Sequence, residues 1–525
     1  MRIANAWDCP GSSQFSQRVA QASCLRSSDG YTGAIRAGSH GGLPLQSGRQ
    51  PRGDGRPRPS LHFSGIGGTA MVAGARLALE AGCEVRGSDN VLYPPTSQMV
   101  EALGVPVATA YAAANLDWDP DCVILGNALS RGNPEVEAAL SRKLHYLSLP
   151  EWLKNAVLRT RRSVVIAGTH GKTTTAALTA FLLDATGRAP GFLIGGQPLN
   201  FPHSARLGAE GAPFVIEGDE YDTAFFDKRA KFFHYLPEFA VVTSVEFDHA
   251  DIYPDLESII RAFRLMLRQI PREGRLFVCA DDLNALALRE YAFCPVESYG
   301  FDASADWRGE IASFSGIPDG CVGLRVHHGG ALWGEIAVPM AGRHNLRNAL
   351  AALAAGAALG VTAAEAARAL PAFRGVKRRM EVFLESRDIT FVDDFAHHPT
   401  AIRETIAAAR QRWPGRALHV LFEPRSNTVV TNRFQAEMNT AFREADAVWL
   451  GPIHRAASIP ESERLDRAAI VQALEEQGIR AAFSDDVAEL VRGLEASAAP
   501  GTVVLILSNG AFGGIYDRLR ERYRA

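Results

Sequence analysis

The chain has 525 residues, of which 47% are hydrophobic and 22% are charged, and this composition is typical of a water-soluble enzyme. At about 150 residues per domain, the length predicts about three domains. The formal net charge of −3 gives no general attraction to nucleic acids or anionic membranes, so we expect neither as a partner.

Two further features exclude other classes of protein. The seven cysteines are scattered and form no CxxC pair, which argues against a disulfide framework or a zinc knuckle and favours a reducing, cytoplasmic location. A long uncharged stretch, residues 349–364, is rich in Ala and Gly, so we predict a helix of small residues rather than a membrane span.

Residues 1–60 differ in composition from the rest of the chain. They contain eight arginines and three aspartates but no lysine or glutamate, among many Ser, Gly and Pro residues. Few aliphatic side chains are present to offset the entropy of ordering, so we predict a disordered tail. The alternatives are an Arg-rich targeting peptide, a nucleic-acid-binding tail and a start codon assigned too far upstream.

A β–turn–α–β pattern begins at residue 61 and predicts the first domain. An apolar strand enters a glycine-rich turn, a helix follows, and a second strand at 83–87 leads to Asp89. The turn consists of Gly65, Ile66, Gly67 and Gly68. Such a turn lets backbone N–H groups approach a diphosphate at a helix N-terminus, although tight structural turns give the same string. A further strand at 122–126 predicts a doubly wound unit that extends to about residue 160.

A β-branched strand at 163–167 leads directly into a phosphate-binding loop. The loop and the helix that follows it begin with Gly168, Thr169, His170, Gly171, Lys172, Thr173 and Thr174. In this context the loop N–H groups bind phosphates, Lys172 reaches the β- and γ-phosphates, and the Thr173 hydroxyl ligates Mg²⁺. The standard loop has one more glycine, at the position of Ile166. The flanking strand and helix nevertheless make ATP binding the strongest functional prediction from local sequence.

Two acidic clusters, at 217–222 and 246–251, follow the next predicted strands, at 214–216 and 241–245. Carboxylates at the carboxyl ends of parallel strands lie where such sheets bind ligands. A phosphate-bound Mg²⁺ needs one or two further protein oxygens, and a second metal ion could accept an imidazole. Helix capping is the alternative, but four carboxylates within residues 217–222 exceed what capping needs.

The third unit begins near residue 375 and repeats the alternation of strands and helices. We predict strands at 390–394, 418–422, 447–450 and 503–507. Polar or glycine-rich sequences follow three of these strands, which predicts ligand-facing loops of an open sheet. The adjacent His397 and His398 do not by themselves form a metal motif.

Together these motifs resemble those of the Mur ligases, a family of ATP-dependent three-domain enzymes. The resemblance covers residues 61–525 and rests on five motifs in family order, which are GIGG at 65–68, GTHGKTT at 168–174, GRHNLRN at 342–348, RRME at 378–381 and DDFAHHP at 393–399. It implies an α/β protein of three domains. These are an N-terminal Rossmann-like UDP-binding domain at 61–160, a central P-loop ATPase-like domain with a parallel sheet at 161–374, and a C-terminal Rossmann-like α/β domain at 375–525.

Two branches of this family use UDP-N-acetylmuramate and begin with the glycine turn. One adds L-alanine in peptidoglycan biosynthesis, and the other attaches the recycled tripeptide L-alanyl-γ-D-glutamyl-meso-diaminopimelate. The sequences at 220–229, 423–426 and 508–514 resemble the tripeptide branch, so we expect that activity, with L-alanine ligation as the alternative. Two more distant alternatives are a switch or transporter ATPase and an inactive binding module. The first would leave the first and third units without a role, and the intact phosphate loop argues against the second.

The resemblance further implies ATP and Mg²⁺ as cofactors, an acyl-phosphate intermediate, and the residues that bind each group. It places Thr173 and Glu217 on one Mg²⁺ and His249 on a second, with Lys172 stabilising the transferring phosphoryl group. The other implied contacts are His344 and Asn345 with adenine, Arg379 and Asp394 with the γ-phosphate and ribose, the Gly65–Gly68 turn and Asp89 with the UDP-sugar, and Arg425 and Asn509 with the peptide carboxylates. The sequence leaves open whether the protein is a monomer or a dimer.

Overall fold

A computed structural model describes residues 58–90, 92 and 96–524 of the chain. The predictions for residues 1–57 therefore lie outside the described residues. The described part forms three units, each built on its own main sheet with helices around it.

The N-terminal sheet is fully parallel and has the strand order β3-β2-β1-β4-β5. Its strands are β1 (Ser60–Ser64), β2 (Glu84–Ser88), β3 (Val107–Ala108), β4 (Cys122–Leu125) and β5 (Tyr146–Ser148). Its helices are α1 (Thr69–Glu80), α2 (Thr96–Glu101), α3 (Pro134–Ser141) and α4 (Leu149–Ala156). The strand order reverses next to β1, and the crevice at such a point is where open α/β sheets bind ligands.

The central sheet has ten strands in the order β17-β16-β15-β14-β13-β12-β6-β9-β7-β8. Its strands are β6 (Ser163–Ala167), β7 (Gly191–Leu193), β8 (Ala205–Arg206), β9 (Phe214–Gly218), β12 (Phe239–Val242), β13 (Arg275–Cys279), β14 (Val296–Gly300), β15 (Trp307–Ile311), β16 (Val322–His328) and β17 (Ala331–Val338), and a separate hairpin is formed by β10 (Asp222–Ala224) and β11 (Asp227–Ala230). The helices are α5 (Lys172–Ala185), α6 (Leu256–Leu267), α7 (Leu283–Ala287), α8 (Arg343–Ala358) and α9 (Ala363–Ala369). Parallel strands β6, β9 and β12 are neighbours, so the loops that follow them converge at one edge of the sheet.

The C-terminal sheet has the order β18-β19-β23-β20-β21-β22, and only the pairing of β18 with β19 is antiparallel within it. Its strands are β18 (Glu381–Ser386), β19 (Ile389–Asp394), β20 (Leu418–Phe422), β21 (Ala447–Leu450), β22 (Arg480–Phe483) and β23 (Val503–Leu507). Its helices are α10 (Pro399–Arg412), α11 (Gln435–Ala441), α12 (Arg467–Glu475), α13 (Val487–Ser497) and α14 (Ile515–Arg522).

Two predicted elements have different limits in the structure. The stretch 349–364 is not one helix, because α8 ends at Ala358 and α9 begins at Ala363 after Gly360, whose φ is +85°. The strand expected at 241–245 ends at Val242, because the chain turns towards the phosphate loop, where the Thr243 hydroxyl donates to the His170 carbonyl and the Ser244 hydroxyl accepts from the His170 N–H. In the part of the chain that the structure describes, no helix has both the length and the apolar character needed to cross a membrane.

Candidate active site

The phosphate loop lies between β6 and α5 and requires glycine at both ends. Gly168 and Gly171 have φ values of +127° and +83°, where side chains are disfavoured. A Cβ atom on Gly168 would lie 2.1 Å from the Thr243 hydroxyl, so the loop packs directly on the segment after β12. No side chain of the described residues caps α5, which leaves its first N–H groups available to an anion.

Lys172 is the first residue of α5, and its ammonium group is paired within the loop. Its Nζ atom donates to both carboxylate oxygens of Glu220, at 2.8 and 2.9 Å, and to the Gly168 carbonyl at 2.6 Å. Burial lowers the pKa of Lys172, but Glu220 and two neighbouring carboxylates outweigh burial and raise the pKa above its usual range. The group is therefore charged at neutral pH. The sequence shows Glu220 as part of an acidic cluster, but it does not show this pairing with Lys172.

Thr173 and Glu217 lie together, as the sequence predicted for a shared cation. The Thr173 hydroxyl donates to Glu217 Oε2 at 3.1 Å, and the Gly195 N–H donates to Oε1 at 2.6 Å. Burial raises the pKa of Glu217 despite these hydrogen bonds and the positive charge of Lys172. The positive charge near Glu217 does not fully compensate for the burial of its carboxylate. A hydroxyl and such a carboxylate form a donor set that fits Mg²⁺.

His249 contacts Glu220 rather than Glu217. The His249 Nε2 atom lies 3.2 Å from Glu220 Oε1, and the ligand atoms of Asp219, Glu220 and His249 all lie within 4.8 Å of one another. Lys231 donates to Asp219, which together with Lys172 holds the pKa of Asp219 well below its usual range despite burial. Two carboxylates and an imidazole could hold a second divalent cation.

A second cluster joins the phosphate loop to the C-terminal domain. The ligand atoms of His170, Glu246 and His398 lie within 4.8 Å of one another. Glu246 Oε2 lies 3.3 Å from His170 Nε2 and 3.4 Å from His398 Nδ1, and the two rings are 4.8 Å apart. Burial raises the pKa of Glu246, but the hydrogen bond with His170 and the charges of both histidines lower it to about 2. The sequence predicts Glu246 as part of the second acidic cluster, but it does not predict the contacts of Glu246 with His170 and His398.

The first turns of α8 pack against the phosphate loop. Asn345 donates to the Ala341 carbonyl at 2.8 Å, and burial lowers the pKa of His344. A Cβ atom on Gly171 would lie 2.5 Å from Asn348 Oδ1, so Asn348 is the α8 side chain in contact with the loop. Asn348 belongs to the GRHNLRN motif, but the sequence does not predict it as a site residue. Only the packing of α8 shows which asparagine of this helix faces the loop.

Arg379 and Asp394 have different surroundings. The Arg379 guanidinium lies 5.1 Å from the centre of the Phe395 ring. The Asp394 carboxylate is buried and accepts hydrogen bonds from the N–H groups of Met380 and Ala396, both at 2.8 Å. Asp394 therefore holds together the residue before β18 and the segment after β19. Its contact with a nucleotide stays a prediction.

The N-terminal glycine turn is closed by Asp89. The Gly67 N–H donates to Asp89 Oδ2 at 2.7 Å, and the Tyr111 hydroxyl donates to Oδ1 at 2.8 Å. Ile66 is fully buried, and the N–H groups of Gly65 and Ile66 both donate to the Ser88 carbonyl, at 2.9 and 3.1 Å. Gly68 precedes α1 without a side-chain cap among the described residues, so the turn leaves the N-terminus of this helix open to an anion.

A cavity of about 360 Å³ lies between the central and C-terminal domains. It brings His249 together with the predicted peptide contacts Arg425 and Asn509, and its other charged or basic lining residues are Asp248, Asp251, His397, His454 and Arg455. Arg425 lies 3.3 Å from Glu423 and 3.4 Å from His454 Nδ1. The Asn509 Oδ1 atom is buried without a hydrogen-bond partner among the described residues, so it is able to accept from a ligand.

Family models match all three units of the chain. The Mur ligase family catalytic domain matches residues 60–161, the Mur ligase middle domain matches residues 166–356, and the Mur ligase glutamate ligase domain matches residues 378–510. The resemblance stated from the motifs is thereby confirmed along most of the chain.

The alignments with individual relatives cover nearly the whole length of each relative. The UDP-N-acetylmuramate–L-alanyl-γ-D-glutamyl-meso-2,6-diaminoheptandioate ligase of Escherichia coli K12 is 41% identical over 463 residues, which are 88% of this chain and 97% of that protein. The UDP-N-acetylmuramate–L-alanine ligase of Variovorax paradoxus is 33% identical, covering 88% of this chain and 94% of that protein. The solved murein peptide ligase of Psychrobacter arcticus is 35% identical with a TM-score of 0.66, covering 88% of this chain and 98% of that one. This chain therefore belongs to the Mur ligase family.

Proposed function

We propose that this protein ligates UDP-N-acetylmuramate to L-alanyl-γ-D-glutamyl-meso-diaminopimelate in peptidoglycan recycling, with ATP as the energy source. The observation that carries the proposal is the 41% identity to the Escherichia coli ligase of that name over 97% of its length. The identity to L-alanine ligases is lower, at 33% for the Variovorax paradoxus protein. L-alanine ligation remains the second candidate because both reactions start from the same UDP-sugar.

The proposed chemistry activates the muramoyl carboxylate before the amide forms. A free carboxylate has a poor leaving group, so its oxygen attacks the ATP γ-phosphate, and the acyl phosphate is then attacked by the peptide amine. In such a reaction the protein positions the reactants and neutralises developing charge. Lys172, charged and at the N-terminus of α5, is suited to bind the transferring phosphoryl group once it leaves Glu220.

Two groups of side chains are suited to hold divalent cations in this reaction. We assign one Mg²⁺ to Thr173 and Glu217 and a second to His249, with Glu220, a member of the acidic cluster at 217–222, as an added ligand. The assignment is supported by the 3.1 Å contact of Thr173 with Glu217 and the 3.2 Å contact of His249 with Glu220. When bound, Mg²⁺ neutralises phosphate charge. Glu220 keeps Lys172 protonated and the His249 imidazole in place.

The two substrates would bind to different domains, with their reacting groups meeting near the phosphate loop. The Gly65–Gly68 turn is suited to the UDP diphosphate, because it leads into the uncapped N-terminus of α1 and Asp89 holds the turn in place. The interdomain cavity is suited to the tripeptide, because Arg425 and Arg455 supply positive charge for its carboxylates and the Asn509 Oδ1 atom can accept from an N–H group. His344, Asn345, Arg379 and Asp394 are proposed nucleotide contacts.

The organisation and location of the protein belong to the same proposal. We propose domain limits at 61–160, 161–374 and 375–525. We also propose a cytoplasmic location, which is supported by four free thiols among the described residues, at Cys122, Cys279, Cys294 and Cys321, the first two of them buried.

The deciding experiment measures ADP release with ATP, Mg²⁺ and UDP-N-acetylmuramate, with either the tripeptide or L-alanine as the acceptor. We expect release that depends on the tripeptide and responds little to L-alanine, with one ligated product formed per ADP. The reverse preference would identify an L-alanine ligase. Release that ignores both acceptors would contradict ligase activity altogether.

A further inference from the structure

The segment 248–251, which carries His249, is held in place by a residue of the C-terminal domain. The Thr428 hydroxyl donates to Asp248 Oδ1 at 2.9 Å and accepts from the Ala250 N–H at 3.3 Å. Asp248 Oδ1 also accepts from the His249 N–H at 2.7 Å. One hydroxyl from the C-terminal domain therefore contacts the residue before His249 and the residue after it.

The position of His249 needs such support. Its φ of +54° lies in the left-handed region, which a residue other than glycine holds only when its surroundings impose it. Thr428 is 1% exposed and Asp248 is 7% exposed, so water does not compete for their hydrogen bond.

The loop that supplies Thr428 also lines the interdomain cavity. Arg425, Asn427 and Thr428 all face this cavity, and Asn427 donates to Asp251 Oδ2 at 3.1 Å. Thr428 therefore lies between the proposed tripeptide site and the imidazole that contacts Glu220. A change in the position of this loop is transmitted directly to the backbone on both sides of His249.

We infer that Thr428 is a positioning residue that aligns His249 for phosphoryl transfer when the C-terminal domain lies against the central domain. The inference rests on the proposed function, because it assigns the cavity to the tripeptide and His249 to the phosphoryl-transfer site. Its consequence is that transfer to the muramoyl carboxylate is fast only with the acceptor domain in place. This arrangement limits loss of the acyl phosphate to water.

The test compares Thr428→Val, which removes the hydroxyl at nearly constant volume, with Thr428→Ser, which retains it. A matched control is Thr440→Val on α11, where the hydroxyl donates only to the Glu437 carbonyl of its own helix. Loss of a hydrogen bond to a charged group predicts a decrease in kcat of about ten- to a hundredfold for Thr428→Val. The KM values for ATP and UDP-N-acetylmuramate should stay within about twofold, and Thr428→Ser and Thr440→Val should keep wild-type kcat.

A second readout needs no bound nucleotide, metal or activity. Hydrogen exchange of the nucleotide-free proteins should be faster in Thr428→Val for the amides of residues 248–253 and unchanged for those of 172–180. Wild-type kcat in Thr428→Val, even with a lowered Tm, would overturn the inference, and so would unchanged exchange at 248–253. If the wild-type protein itself does not use the tripeptide, the proposed function fails, and the exchange comparison alone still decides whether Thr428 holds the His249 segment.

Discussion

At the scale of single residues, the most informative feature is the buried pair of Lys172 and Glu220. Glu220 is 2% exposed, and both of its oxygens accept from the Lys172 ammonium. Removing one member of a buried pair leaves the other charge without compensation, which typically costs about 3–5 kcal/mol. A substitution of Lys172 therefore affects stability as well as phosphate binding, and the two effects have to be separated.

We predict that Lys172→Met lowers kcat by at least about a hundred- to a thousandfold, because a preorganised positive charge at the transferring phosphoryl group is lost. ADP release measures this effect, and thermal unfolding should show a lower Tm. The double variant Lys172→Met/Glu220→Gln removes both charges, so it should recover most of the lost Tm but none of the activity. Lys143→Met, at an exposed lysine, is the control. Recovery of activity in the double variant would contradict the assigned role of Lys172.

The sequence predicts the role of Lys172 but not its pairing with Glu220, because only the first depends on a local motif. The phosphate loop is a local motif in which strand, glycines, lysine and helix follow one another without interruption. Glu220, Asn348 and Thr428 act through contacts between segments that are distant in the chain, at separations of 48 residues for Glu220–Lys172 and 180 for Thr428–Asp248. No local pattern marks which carboxylate of the 217–222 cluster turns towards the loop.

At the scale of secondary-structure elements, a buried carboxylate joins two strands and a helix beneath the glycine turn. Glu135, in the first turn of α3, is fully buried and accepts from the Ser64 hydroxyl at the end of β1 and the Ser88 hydroxyl at the end of β2. Asn115 also donates to it, at 2.6 Å. Burial raises the pKa of Glu135, but these hydrogen bonds and one from His62 outweigh burial and lower the pKa to about 2.

This shift predicts a pH-dependent effect of Glu135→Gln on stability. Because the pKa falls from 4.5 to about 2 on folding, the charged carboxylate stabilises the fold above pH 4.5, and this stabilisation is lost as the pH falls towards 2. The shift corresponds to about 3 kcal/mol at neutral pH. The Tm of Glu135→Gln should lie below that of the wild type at pH 6–7, and the gap should narrow below pH 4.5.

Glu101→Gln, an exposed position at the end of α2, is the matched control and should follow the wild-type Tm throughout. A Tm difference between Glu135→Gln and the wild type that does not change with pH would contradict the role of the charge.

At the scale of elements the sequence predicted the strands well, because β-branched runs such as those of β6 and β23 are buried on both faces. It did not predict the antiparallel extension β15–β17, whose strands alternate between buried and exposed residues and carry no functional motif.

At the scale of the whole molecule, no cluster of buried apolar residues in the described chain joins the C-terminal domain to the other two domains. One continuous cluster spans the N-terminal and central domains, from Leu61 to Val376, and α1 is tied to the central domain where Glu80 accepts from the Leu207 N–H at 2.6 Å. The C-terminal sheet has separate clusters on its two faces. The described contacts between the central and C-terminal domains are mainly polar, and include the ion pair of Arg347 with Glu404 and the Gly342 N–H donating to Gln411 at 2.8 Å.

This division predicts two cooperative unfolding transitions, one for the N-terminal and central domains together and one for the C-terminal domain. Leu77, Leu276 and Leu505 are fully buried, in α1, β13 and β23 respectively, and replacing any one of them with Ala should cost about 2–5 kcal/mol. In calorimetry, Leu77→Ala and Leu276→Ala should lower the same transition, although the two residues belong to different sheets. Leu505→Ala should lower only the other transition, because polar contacts transmit little of the stability of one core to the other. A single transition that all three substitutions lower equally would mean that the polar interface couples the domains as strongly as a shared core, and Thr428 would then act within a rigid body rather than through domain closure.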